Sequence, residues 1–249
     1  MFIFAAQDWF ASPLGQYLLL REQAYFDEVV TDIFGFNALQ LGLAQYDLLR
    51  SSRIPTRITV DPNAPVQLRA APEHLPISSH SIDLLLLPHV LEFSASPHQI
   101  LREVERVLIP EGHVVISGFN PFSLWGLRRL FSQSGGEYPW RGNFIALPRL
   151  KDWLALLNLE VVAGRLCCYA PPFQSEQWLH RCEFMDAAGD RWWALAGGVY
   201  FILARKRVHS MRLIMPGWSE RMAARKNLVP AAQQTATRRS TGEQKKLSA

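Results

Sequence analysis

A few positions in this chain put a chemically capable residue type at the end of an apolar run. Asp61 closes the β-branched run Thr56–Asp61 (TRITVD), nineteen positions beyond Gly42. An acidic group at the end of such a strand can accept hydrogen bonds from ribose hydroxyls, because a carboxylate offers acceptor sites to two neighbouring OH donors. Its competing reading is turn chemistry in Asp61-Pro62-Asn63. Gly42 ends the run Asn37–Gly42 (NALQLG), where a missing Cβ lets the backbone pass close to a ligand. His89 follows the run Ser81–Pro88 (SIDLLLLP). With an ordinary pKa near neutrality it is the candidate proton acceptor, with pocket wall and loop hydrogen-bonder as alternatives. Asp83, inside that apolar run, calls for hydrogen-bond partners and reads as a cap for nearby backbone N–H groups. Glu92 reads as structural.

Several chemistries are disfavoured. The loop after Gly42 reads Leu43-Ala44-Gln45-Tyr46, so neither the G-x-G-x-x-G turn nor a G-x-x-x-x-G-K-[ST] loop is present. A nicotinamide-dependent oxidoreductase and a P-loop hydrolase are therefore weak readings. There is no G-x-S-x-G elbow. Cys167, Cys168 and Cys182 form no C-x-x-C and no Cys/His ligand set, so no metal site is expected, and a reducing, cytoplasmic setting is.

Elements that could position these residues are signalled along the chain. Ser12-Pro13 opens an amphipathic helix over residues 12–33 carrying Leu14, Tyr17, Leu18, Phe26, Val29, Val30 and Ile33, with Gly35 ending it. The runs 37–42, 56–61, 81–88, 113–118, 160–169 and 197–205 read as strands, and the continuous apolar run at 81–88 as one buried on both faces. Ser96-Pro97-His98-Gln99 predicts a capping box for a helix with Ile100, Leu101, Val104, Val107 and Leu108 inward; Leu147–Asn158 is a second core-facing helix. Strands and helices alternate, which predicts an α/β fold with a mostly parallel sheet and ligands at the carboxyl strand ends. Residues 119–146 follow the run 113–118 and are placed to form a lid or acceptor wall. Most tryptophans (Trp153, Trp192 and Trp193 among them) read as core, with Trp125, Trp140 and Trp178 as possible pocket walls.

The 249 residues carry a net charge of +4, but unevenly: residues 205–249 hold +9 and residues 1–204 hold −5. The expected organisation is an N-terminal helical extension (1–34), an α/β domain (35–207) and a basic, disordered tail (208–249) able to touch nucleic acid or acidic surfaces. The longest uncharged apolar stretch, Trp192–Ala204, is short of the ~20 residues a bilayer requires. The N-terminus lacks a basic segment before its apolar residues, so no signal peptide is expected.

The middle of the chain resembles a known family. Leu75-Pro76 with Ser81-Ile82-Asp83, then His89-Val90-Leu91-Glu92, then Leu101-Arg102-Glu103-Val104-Glu105-Arg106-Val107-Leu108-Ile109-Pro110-Glu111-Gly112 are similar to the motifs of class I S-adenosylmethionine-dependent methyltransferases, type 11. The likeness covers about residues 37–118. It implies a Rossmann-like, mostly parallel seven-stranded sheet with helices on both faces, S-adenosyl-L-methionine as methyl donor and a small-molecule acceptor. It places Gly42, Leu43 and Gln45 in the glycine loop, Asp61 on the ribose, Leu75 beside the adenine, and Pro88 and His89 on the methionine and substrate side. Ala44 and Tyr46 replace the family's later loop glycines, Gln40 its acid and Ala71 its adenine-contacting Asp. The rival the departures raise is a methyltransferase-fold binding module without catalysis.

Overall fold

The structure is a computed structural model that describes residues 9–62, 64–132, 138–182, 185–186 and 196–208. These belong to one unit ending at Val208. The basic tail from 209 onward, Trp192 and Trp193 lie outside the described residues.

Helix α1 (Pro13–Thr31) is followed by β1 (Asn37–Leu41), β2 (Thr56–Val60) and β3 (Ile82–Pro88). A single 3-10 turn (Leu91–Phe93), α2 (Pro97–Val107) and β4 (Leu108–Phe119) come next. The chain then forms α3 (Leu124–Phe131), α4 (Leu147–Leu156), β5 (Leu159–Cys167), α5 (Glu176–Arg181) and β6 (Val199–Lys206). Among the described residues the sheet has six strands, in the order β2-β1-β3-β4-β6-β5. The β2–β1, β1–β3 and β3–β4 pairs are parallel; β6 runs antiparallel to both neighbours. This is the mostly parallel architecture expected, with one correction. Where a seventh strand would flank β2, the described residues form only a single parallel bridge, between Val60 and Leu68. Residues 61–76 carry four prolines, which supply no N–H to a ladder, so the edge is not extended.

The pleat explains the apolar run of β3. Leu84 and Leu86 enter one core with α1, whereas Leu85 and Leu87 enter a second core with Ile100, Leu101, Val104 and Leu150 from α2 and α4. Successive strand side chains point to opposite faces, so a sheet covered on both sides needs apolar residues at every position. Asp83 is satisfied as expected: its Oδ2 accepts from the backbone N–H of Phe36 and Asn37, each at 2.9 Å. Gly35 makes that contact possible, since a Cβ there would lie 2.3 Å from Asp83 Cβ. Helix α1 itself ends earlier, at Thr31.

The two proline-led helix starts differ. Ser12 caps α1, its side chain accepting from Gly15 N–H at 3.2 Å. Ser96 does not close the predicted capping box: it makes no side-chain cap bond, and only its carbonyl accepts, from Gln99 N–H at 2.9 Å. The α2 motif has a different use. Arg106 donates to the carbonyls of Ile77 (2.9 Å) and Leu75 (3.0 Å), while Glu103 accepts from Leu75 N–H (3.1 Å) and pairs with Arg106 (2.8 Å). The most family-specific stretch of the sequence thus clamps segment 75–79 onto the helix.

Candidate functional site

A cleft of about 300 Å³ opens at the carboxyl ends of the parallel strands. Gly42 and Leu43 follow β1, Asp61 and Pro62 follow β2, and Pro88, His89 and Val90 come from the end of β3. Ala71, Pro72 and Glu73 line another part of it, with Phe93, Ser94, Ile100 and Tyr138 completing the wall. The volume is at the lower end for a pocket holding a drug-sized ligand. Of the residues expected from sequence, Gly42, Leu43, Asp61, Pro88 and His89 converge here. Gln45 is exposed and outside the cleft lining. Leu75 is also outside it, packed in the second core, because the Glu103–Arg106 clamp draws its backbone to α2. Neither Trp125, Trp140 nor Trp178 lines the cleft: the first two are buried in the core side of the loop region, and Trp178 is exposed on α5. The aromatic wall is Phe93 and Tyr138, stacked 4.6 Å apart. Tyr138 does come from the segment expected to close the site.

The loop after β1 is held by a residue whose role was not legible. Gln40, fully buried at the sheet end, donates from Nε2 to the carbonyls of Gly42 (3.1 Å), Leu43 (3.2 Å) and Tyr46 (2.8 Å). Its Oε1 accepts from Leu48 N–H at 3.0 Å. A carboxylate could accept from Leu48 but could not donate to three carbonyls. The amide is therefore what fits this loop. Gly42 itself has φ +78°, and a Cβ there would meet Val90 Cγ2 at 3.1 Å, so the position favours glycine on two counts.

Asp61 is buried at the cleft wall and its Oδ1 accepts from Ala64 N–H at 3.2 Å. The turn reading of Asp61 is thus present together with its placement in the cleft. Its own N–H donates to Leu68 O at 3.3 Å, beside the bridge that replaces the seventh strand.

His89, the candidate base, sits in a charged enclosure at the cleft wall. Its ring lies between two buried carboxylates: Nδ1 is 2.9 Å from Glu92 Oε2, and Nε2 is 2.9 Å from Glu22 Oε1 on α1. The Glu22 contact is an ion pair by distance but not a well-directed hydrogen bond, and we read it as electrostatic. Burial alone would lower the imidazole pKa; the Glu22 and Glu92 charges outweigh it and raise it from 6.5 to about 10. That direction favours the imidazolium, the form with no lone pair with which to take a proton. Phe119 stacks on it at 4.1 Å, and Glu92 Oε1 accepts from Phe119 N–H. Tyr138, next to this cluster, has its phenol pKa pushed up by burial and by Glu92 and Glu22. One sequence signal marks Glu22: it stands four residues from both Leu18 and Phe26, on the buried stripe of α1. A carboxylate on an apolar stripe calls for a buried cation or for hydrogen-bond donors.

Comparison with known proteins agrees with this geometry. Residues 49–116 match the methyltransferase-domain family. An uncharacterized Escherichia coli protein, YafS, is 35% identical over 162 residues, 64% of this chain and 68% of YafS. An uncharacterized Mycobacterium tuberculosis protein is 27% identical over 184 residues, covering 68% of this chain and 62% of its own length. Among solved structures, a SAM-dependent methyltransferase of Thermotoga maritima aligns with a TM-score of 0.61 at 15% identity, over 83% of this chain and 97% of that one. One from Archaeoglobus fulgidus aligns with a TM-score of 0.54 at 16% identity, over 77% and 95%. Among the described residues, no helix is long and apolar enough to cross a membrane. The breadth of the YafS match shows shared family, residues 49–116 carry the methyltransferase domain, and the sheet order agrees with both: the chain belongs to the class I S-adenosylmethionine-dependent methyltransferases, in the type 11 methyltransferase-domain group.

Proposed function

We propose that the cleft binds S-adenosylmethionine and that the chain catalyses methyl transfer to a small-molecule acceptor. One observation carries this reading: Gly42, Asp61 and Pro88–His89, from the ends of three adjacent parallel strands, line a single cleft. The residues present fit such a donor. Gly42 leaves the cleft wall without a side chain, and the backbone of Gly42 and Leu43 is where the methionine part would approach. Asp61 is the acceptor for the ribose hydroxyls. Glu73, fixed by the hydrogen bond its Oε1 accepts from Ser94 Oγ at 2.7 Å, is the carboxylate on the side where the family's Asp is replaced by Ala71.

Bound S-adenosylmethionine supplies an electrophilic methyl carbon on a sulfonium. The protein's work is then to hold the acceptor's lone pair in line and to exclude water. Leu43, Val90, Phe93, Ile100 and Tyr138 give the cleft its apolar lining. His89, held as an imidazolium between two carboxylates, fixes the wall formed at the end of β3 and moves no proton. Catalysis by positioning is the reading this favours, with an acceptor whose nucleophilic atom needs no help from His89.

Calorimetric titration of the full chain with S-adenosylmethionine and its demethylated product tests the proposal. Binding is expected, and Asp61→Ala should weaken it by roughly ten- to a hundredfold, the loss of a hydrogen bond to a charged group. The far-UV circular dichroism should not change. A folded protein that takes up neither molecule, or an Asp61→Ala variant that binds as the parent does, would sink the reading and return the chain to a methyltransferase-fold binding module.

A further inference from the structure

Helix α3 presents its residues in an inverted way. On a surface helix the charged groups ordinarily face water and the apolar stripe faces the core. Here Trp125 and Gly126 are buried, Arg128 and Arg129 are only half-exposed, and Leu124, Leu127, Leu130 and Phe131 are exposed. Leu130 and Phe131 are 76% and 78% exposed, and Phe122, just before the helix, is 74% exposed. The arginines turn back onto aromatic rings: Arg128 Cζ lies 4.8 Å from the Trp140 ring and Arg129 Cζ 5.1 Å from that of Phe144. Arg128 also donates to the carbonyl of Pro172, which puts the exposed pair Phe173 and Trp178, 6.1 Å apart, beside the same helix. Single exposed leucines are ordinary, but a contiguous cluster of this kind marks a docking surface.

Charge selects the occupant. Segments 119–132 and 171–182 together hold three arginines, one histidine and one glutamate. Exposed leucine, phenylalanine and tryptophan edged by arginine match the interface of an anionic bilayer, where rings and leucines enter the acyl boundary and guanidinium groups meet phosphate. We infer that the outer face of α3, with Phe122, Phe173 and Trp178, docks the protein on an anionic phospholipid surface. This does not rest on methyl transfer. It does place the bilayer near the cleft: Trp125 of α3 stacks on Phe119 at 5.8 Å, and Phe119 stacks on His89, which lines the cleft.

The test is co-sedimentation of the full chain with vesicles of about two parts phosphatidylcholine to one part phosphatidylglycerol, a composition that supplies the negative surface potential. Binding is expected, weaker on phosphatidylcholine alone and reduced at high salt. The triple variant Leu127→Gln, Leu130→Gln, Phe131→Ser should bind at least about tenfold more weakly, having lost three inserting side chains. Leu130→Phe, which keeps the apolar face, should bind like the parent. Circular dichroism and a melting curve show that each variant is folded. The inference is overturned if the parent stays in the supernatant, or if the triple variant sediments with vesicles as the parent does, in which case the basic segment 209–249 carries the contact. It is also overturned if the parent ignores vesicles but is a dimer in the ultracentrifuge that the triple variant dissolves, since the face then meets a second copy of this chain.

Discussion

Two loops close the same cleft and are held by opposite means. The loop after β1, residues 42–48, hangs on neutral hydrogen bonds from the single buried amide of Gln40. The segment after β3, residues 88–93, is held by charge: the His89 imidazolium between Glu22 and Glu92. The first device is local, spanning eight residues of sequence. The second is long-range and ties the cleft to α1. A neutral network keeps its strength at any pH at which the protein is folded, whereas a buried ion cluster depends on the charge of every member. The difference teaches that one wall of this site should be indifferent to protons and the other should not.

The comparison can be broken most forcefully at His89. His89→Gln leaves Glu22 and Glu92 facing each other without a cation, and about 3–5 kcal/mol of stability should be lost. In a chain of this size that is a melting temperature lower by roughly 10 °C or more. Adding Glu22→Gln should recover part of it, which separates a charge effect from a packing effect; no recovery on thermal denaturation would refute the ion-cluster account.

Gln40→Glu sharpens the other side. The new carboxylate would face the carbonyls of Gly42, Leu43 and Tyr46 and could still accept from Leu48. Each lost donor leaves a carbonyl unmet, and the total should be about 2–4 kcal/mol at neutral pH. The variant should regain stability in mild acid, where a protonated carboxyl can donate once. A melting temperature equal to the parent's at pH 7 would show that the amide is not what holds the loop.

The pH dependence of the parent follows from the direction of the His89 shift. Its folded value is raised from 6.5 to about 10, so its contribution is complete below the unfolded value and is lost as pH rises through about 10. Melting curves from pH 7 to 10 should therefore fall more steeply for the parent than for the His89→Gln, Glu22→Gln double variant, in which the cluster has no charged histidine. Parallel curves would place the titration elsewhere. The smallest effect concerns the two serines that precede the proline-led helices, outside the cleft. Ser12→Ala should cost about 1 kcal/mol. Ser96→Ala should change the melting point by little, because that side chain makes no cap bond.

Much of the fold was legible because it depends on local pattern. The runs at 37–42, 56–61 and 81–88 became β1, β2 and β3 within a residue or so, and the apolar positions of α2 are buried as read. What was not legible is instructive. The capping box at Ser96 has the right residue types, yet the serine backbone takes φ −134° and ψ 63°, and its hydroxyl caps nothing. Leu75 lies on a motif associated with cofactor, but the Glu103–Arg106 clamp spends it on the core. The seventh strand reduces to one bridge because its segment is interrupted by proline.

The sequence by itself determined the alternation of strands and helices, the carboxyl-end placement of Gly42, Asp61, Pro88 and His89, and the family they indicate. Period and residue type decide these, and both are written along the chain. Only the tertiary structure decided what surrounds His89. A histidine after a strand reads as a base until a carboxylate 67 positions earlier in the chain comes to lie 2.9 Å from its ring. It likewise decided that Gln40 is the tie of a loop and not simply a missing acid. Protonation state and hydrogen-bond role are set by what surrounds a side chain in space, and that neighbourhood is assembled from residues far apart in sequence.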